Sequence, residues 1–172
     1  MLTNNFYKIL LAHMTRNSAS ANCVKPDGQD ASVSSPQIVM NALGYVRSAP
    51  FAAGNYGTYF GTGTTPPTMK DYNLESPIMD GTLASSNAGN AMFGFEKDHA
   101  RVYRTHEVFN NGTNDVTITE VGVFGAVSSS SPILFMIDRT VLDKPITIPA
   151  GESRSITIAI VFNYPTTSYD NI

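Results

Sequence analysis

The chain has no tryptophan, a single cysteine and few charges, and each shortage removes a class of protein. Lone Cys23 excludes an internal disulfide and any multi-cysteine zinc site. It reads as an incidental thiol folded in a reducing cytosol. Only 15% of the residues are charged and the formal net charge is −3. Basic residues never cluster, Arg101 and Arg104 being the tightest group, so the electrostatics do not suit a phosphate backbone and no nucleic-acid partner is expected. Long apolar runs are also missing. Nothing approaches the roughly 18 consecutive apolar residues of a membrane span, so no membrane insertion is expected. The stretch Ile9-Leu10-Leu11-Ala12 is broken by His13 and Arg16, too early for a secretory signal.

What remains is a polar chain of 172 residues, long enough for one domain with its own core. Its clearest pattern lies near the end. Ile156, Ile158, Ile160, Phe162 and Tyr164 alternate with Thr157, Ala159, Val161 and Asn163, the period of two of a strand with one buried face. The loop Asn110-Asn111-Gly112-Thr113-Asn114-Asp115 and the turn Pro149-Ala150-Gly151-Glu152 separate similar runs. Strands are expected at 36–46, 56–62, 91–95, 101–109, 115–124, 132–137, 141–148 and 153–164. The expected fold is all-β: an antiparallel β-sandwich, immunoglobulin-like or jelly-roll-like, with one short N-terminal helix.

That helix spans residues 4–15, with Thr3 or Asn4 capping its first turn. Phe6, Ile9, Leu10 and His13/Met14 recur at helical spacing. At about three turns it is too short to stand alone, so it docks on its own sandwich or on a neighbouring subunit. Phe6, Tyr7, Ile9 and Leu10 are the candidate interaction residues. The expected organisation is a helix and extended arm over 1–35, turning at Asp27-Gly28, a sandwich over 36–164 and a polar tail over 165–172. Segment 71–77 reads as one helical turn and 81–89 as a polar loop.

No catalytic constellation stands out. Gly57-x-x-x-Gly61-x-Gly63 lacks the Gly-Lys-Ser/Thr and the following helix of a phosphate loop, and Pro66-Pro67 blocks one. His99 and His106 would lie on opposite strand faces and cannot share a metal. Catalytic residues, metal and cofactors are therefore all expected to be none, and the reading is of a non-enzyme. Glu120 interrupts an apolar strand; if buried it needs a cation such as Arg101, Arg104 or Arg139, and the Glu120–Arg139 ion pair is the structural candidate. Val116 and Ile118 have one parity, Val121 and Val123 the other. Either a bulge near Glu120 or burial of both faces reconciles them.

Several segments, in order, carry a resemblance. Tyr59-Phe60-Gly61-Thr62-Gly63-Thr64-Thr65-Pro66-Pro67-Thr68 precedes Asp71-Tyr72-Asn73-Leu74-Glu75-Ser76-Pro77. Val116-Thr117-Ile118-Thr119-Glu120-Val121-Gly122-Val123-Phe124 follows, then Arg139-Thr140-Val141-Leu142 and Pro145-Ile146-Thr147-Ile148-Pro149-Ala150-Gly151-Glu152-Ser153. With the opening Leu2-Thr3-Asn4-Asn5-Phe6-Tyr7-Lys8, the set resembles small virion structural proteins of tailed bacteriophages. The resemblance implies a structural subunit of the tail, baseplate or collar, made in the bacterial host cytoplasm and located in the virion. Its implied partners are copies of itself and other virion proteins. A capsid-surface decoration protein is the nearest alternative. A carbohydrate-binding or adhesive module is another, with a surface glycan offered to Tyr45, Phe51, Tyr56, Tyr59 and Phe60.

Overall fold

In the computed structural model the described residues are 1–15, 21–33, 38–39, 43–51, 55–86, 90–127 and 133–163. Among them the chain is mostly strand with one short helix, and the strands form several sheets. The expected C-terminal tail over 165–172 lies outside the described residues.

Helix α1 covers Asn4–Thr15. Thr3 does not cap it through its hydroxyl, which instead donates to the Met136 carbonyl at 2.7 Å. The Asn5 side-chain amide donates to the Val24 carbonyl at 2.8 Å and accepts from the Val24 N–H at 2.9 Å. These bonds clamp the helix over the strands β1 (Ala21–Val24) and β10 (Ile133–Ile148). Phe6 enters the main core, and Ile9 joins Cys23 and Phe135 in a smaller apolar cluster. Strand β2 (Asp30–Val33) returns along β1, turning where Gly28 takes φ 81° and the Gln29 N–H donates to Asp27 Oδ1.

Five strands form one sheet. Its order is β10, β9 (Val116–Val127), β5 (Gly57–Gly61) and β4 (Val46–Arg47), with β3 (Ile38–Val39) also on β9. The β4–β5 pair is parallel, an exception to the antiparallel expectation. The second sheet runs β11 (Ser153–Asn163), β8 (His99–Asn110) and β6 (Leu83–Ser86), with β7 (Met92–Phe95) also on β8. One cluster draws on both sheets: Phe60, Ile118 and Val123 from the first, Val108, Ile156 and Ile158 from the second. Each such fully buried side chain contributes about 1.5–3 kcal/mol. In β11, Ile156, Ile158 and Ile160 are buried while Thr157, Ala159 and Val161 are exposed, the alternation written in the sequence.

Several elements depart from expectation. β10 is one strand of 16 residues, not two, because polar Asp138-Arg139-Thr140 stays in the ladder opposite Val123-Gly122-Val121. The chain absorbs the mismatch in two register shifts, between Met136 and Asp138 and between Val141 and Ile146. The second shift lies opposite Thr119, where the apolar parity of β9 changes. Beyond it both faces of β9 are covered, Val121 and Val123 by the main core and Phe124 by a cluster with Tyr59, Leu74, Leu134 and Met136. Segment 71–77 contains no helical turn, and the 81–89 loop contains strand β6. Among the described residues within and beside 36–46, Ile38–Val39 and Val46–Arg47 are strand and Leu43-Gly44 forms a turn. Gly112 does not have a positive φ; the 110–115 hairpin is held by the Asn110 side chain, which donates to the Asn114 and Ile148 carbonyls and accepts from the Gly112 N–H. In the Pro149–Glu152 turn Gly151 does supply the left-handed φ, at 73°.

Candidate functional site

A dense polar cluster forms where the irregular loop 62–77 crosses the first sheet. Glu120, on β9, has no exposed surface, and the Arg139 side chain on β10 is 4% exposed. Of the three candidate cations, it is Arg139 that meets Glu120: its Nε donates to Oε2 at 3.0 Å. The same carboxylate accepts the backbone N–H groups of Gly63 at 3.1 Å, Glu75 at 3.1 Å and Ser76 at 2.7 Å. Four donors saturate the roughly four lone-pair sites a carboxylate offers. The glycines explain how the loop comes so close. A Cβ on Gly63 would stand 2.6 Å from Glu120 Oε1, and one on Gly61 would strike the same oxygen.

Arg139 continues the network outward. Its Nη1 donates to Asp71 Oδ2 at 2.8 Å, and its Nη2 lies 3.6 Å from Glu75 Oε2. Asp71 also accepts the N–H and hydroxyl of Thr68. Glu75 accepts the N–H groups of Thr64 and Thr65 and the Thr65 hydroxyl. Three acids and one arginine thus fasten the loop to the sheet. Burial pushes the Asp71 pKa up, but the Thr68 N–H and Arg139 outweigh it and hold the carboxyl below its ordinary 3.8. Glu75 is held below its ordinary 4.5, first by the Thr65 N–H. Burial works against the charge on Arg139, yet its bonds to Asp71 and Glu120 keep its pKa above the ordinary value.

A lowered carboxyl pKa means that the unfolded chain binds protons more readily than the folded one. The stability these groups supply is complete above the ordinary carboxylate range and is lost as pH falls through the lowered folded values. The urea midpoint is therefore expected to drop between about pH 5 and about pH 2, and Asp71→Asn to make that drop shallower. An unchanged slope in Asp71→Asn would show that Asp71 is not linked to folding.

Glu120 offers no free lone pair and no solvent contact, so its position is that of a clamp. His106 is buried on β8 in the other sheet, with Nε2 3.0 Å from the Leu43 carbonyl, and burial pushes its pKa below the ordinary value. No group of three His, Cys, Asp or Glu side chains suited to a metal occurs among the described residues. Of the aromatics considered for sugar stacking, Tyr59 and Phe60 are core residues and Phe51 and Tyr56 pack against the Tyr59 cluster. Only Tyr45 is exposed, with the Arg47 guanidinium 4.6 Å from its ring centre.

The helix residues divide. Phe6 and Ile9 are buried in their own chain, at 7% and 6% exposure, whereas Tyr7, Leu10 and Leu11 are exposed. A second apolar surface, Met92, Phe93 and Phe95 on β7, had no counterpart in the sequence reading. Asp71, Glu75, Gly61 and Gly63 were likewise not connected to Glu120. The available signal was a pair of glycines two apart and one acid isolated in an apolar strand. Compared with protein families, curated proteins and solved structures, the chain matches none.

Proposed function

We propose that the chain is a non-enzymatic structural subunit of a bacteriophage virion, an antiparallel β-sandwich of immunoglobulin-like or jelly-roll-like type that assembles through subunit contacts in the tail, baseplate or collar. The carrying observation is the divided helix. One side of α1 is fixed to the chain's own sheets, and the other presents Tyr7, Leu10 and Leu11 to solvent. Leucines on a rigid, anchored helix form a surface for a neighbour rather than part of the core. The ordered motifs that resemble those of small tailed-phage virion proteins supply the setting. The saturated Glu120 network supports the same reading, because it spends a buried charge pair on shaping a loop.

Deleting the helix would strip Thr3 and Asn5 from the sheets and damage the fold, so the test uses surface changes. Antibody labelling of particles from a producing lysate is expected to place the wild-type chain at regular positions on the virion. The Leu10→Glu/Leu11→Glu chain is expected to stay in the unassembled fraction with an unchanged thermal midpoint. Particles free of the wild-type chain would overturn the proposal.

A further inference from the structure

We infer that a second copy of this chain pairs along the free edge of β7, two-fold about Gly94, and closes an opening in the core between the sheets. This rests on the assembly reading and names one surface for it. Phe93 and Phe95 stand opposite Val102 and Ala100 of β8, whose other neighbours in register are Ile160 and Phe162 of β11. Directly opposed residues of an antiparallel ladder share a face. The two phenylalanines therefore lie on the core-facing side, in line with Ile160, which is 6% exposed. Yet Phe93 is 72% and Phe95 78% exposed. Among the described residues none covers the core here, and an apolar cavity of about 360 Å³ opens among these two rings, Phe6, Leu43, Ile137 and Phe162.

Among the described residues β7 pairs only with β8, so its second edge offers unpaired backbone groups. A second copy suits that edge by symmetry. A two-fold axis perpendicular to the sheet keeps the phenylalanines of both copies on one face only if it passes through a residue, so that side-chain parity is preserved. With the axis at Gly94, Phe93 of each copy faces Phe95 of the other, an aromatic cross-strand pair, and glycine sits where the backbones meet. On the outer face Met92 meets Glu96, so no like charges oppose each other across the strands. Arg101 lies over Gly94 and is paired with Glu96 at 3.8 Å, which leaves its cation balanced.

Aromatic side chains can bury about 150–250 Å² each, so the exposed fractions of Phe93 and Phe95 offer about 300 Å². Met92, 53% exposed on the outer face, raises this to about 400 Å², half of the roughly 800 Å² per partner found in stable interfaces, with the paired backbone edges adding to it.

The test is disulfide trapping of the full chain carrying Gly94→Cys. Residues on the axis of an antiparallel pair have Cα atoms at about 4.5–5.5 Å, within disulfide reach. Cys23 is fully buried and burial pushes its thiol up to about 11, so it does not compete. Oxidation is expected to give a linked dimer as the main product. Phe95→Asp, at a position exposed in the single chain, is expected to weaken self-association at least about 30-fold while keeping the thermal midpoint. An oligomeric wild type that neither cross-links through position 94 nor responds to Phe95→Asp would overturn this surface and leave the assembly reading standing. A wild type that is monomeric throughout would overturn both.

Discussion

Glu120→Ala is expected to cost about 3–5 kcal/mol of folding stability, because it removes the one fully buried carboxylate paired with the buried Arg139 and leaves only Asp71 and the more distant Glu75 to balance its charge. The change also orphans the N–H groups of Gly63, Glu75 and Ser76, each of which donates to that carboxylate. Domains have only about 5–15 kcal/mol of stability in total, so this single change removes a large share. Urea unfolding of wild type and variant measures it directly. Arg139→Met should be costly for the complementary reason, since Glu120 then loses its cation while remaining buried. The double variant Glu120→Leu/Arg139→Met is expected to cost less than the two single changes added together, as neither charge is left alone. It should not return to wild type, because the loop donors stay unsatisfied. A loss below about 1 kcal/mol for Glu120→Ala would mean that the loop is held by other contacts.

Gly63→Ala should be the next most damaging change, and its cost should depend on Glu120. The new Cβ would stand 2.6 Å from Glu120 Oε1 and 2.6 Å from Glu75 Cβ, closer than non-bonded atoms tolerate. Overpacking of this kind costs about 1–3 kcal/mol, here with broken hydrogen bonds added. Gly125→Ala is the control: its Cβ would meet nothing closer than 3.8 Å, and it should cost little. In a Glu120→Ala background the collision with the carboxylate disappears, while the contact with Glu75 Cβ remains. The two changes should therefore combine to less than their sum, a coupling that unfolding of the four chains resolves. Simple additivity would contradict contact between the glycine and the carboxylate.

Local pattern carried the regular elements. The helix over residues 4–15 and the strand over 153–163 were legible because apolar residues recur at helical spacing in the first and at every second position from Ile156 in the other. The β1–β2 turn at Asp27-Gly28 was legible from its turn chemistry. The elements that escaped depend on distant partners. Asp138-Arg139-Thr140 looks like a strand break until Arg139 finds Glu120 on the neighbouring strand and Asp71 on the crossing loop. Segment 71–77 looks helical, yet the N–H groups of Glu75 and Ser76 are claimed by a carboxylate 45 and 44 residues away in sequence. Within the cluster, Glu120 and Arg139 could be nominated because a buried acid demands a cation; Asp71 and Glu75 could not, since on an exposed loop they resemble any surface acid. Phe93 and Phe95 escaped notice because their strand is short and alternation alone does not reveal an uncovered face.

Light scattering on the freshly purified full chain weighs most heavily on the assembly account, since its mass is 18.5 kDa per copy. Interfaces of ordinary size hold with micromolar or tighter dissociation constants, so the account predicts one well-defined multiple of that mass at about 100 µM. A single species of 18.5 kDa at that concentration would contradict it.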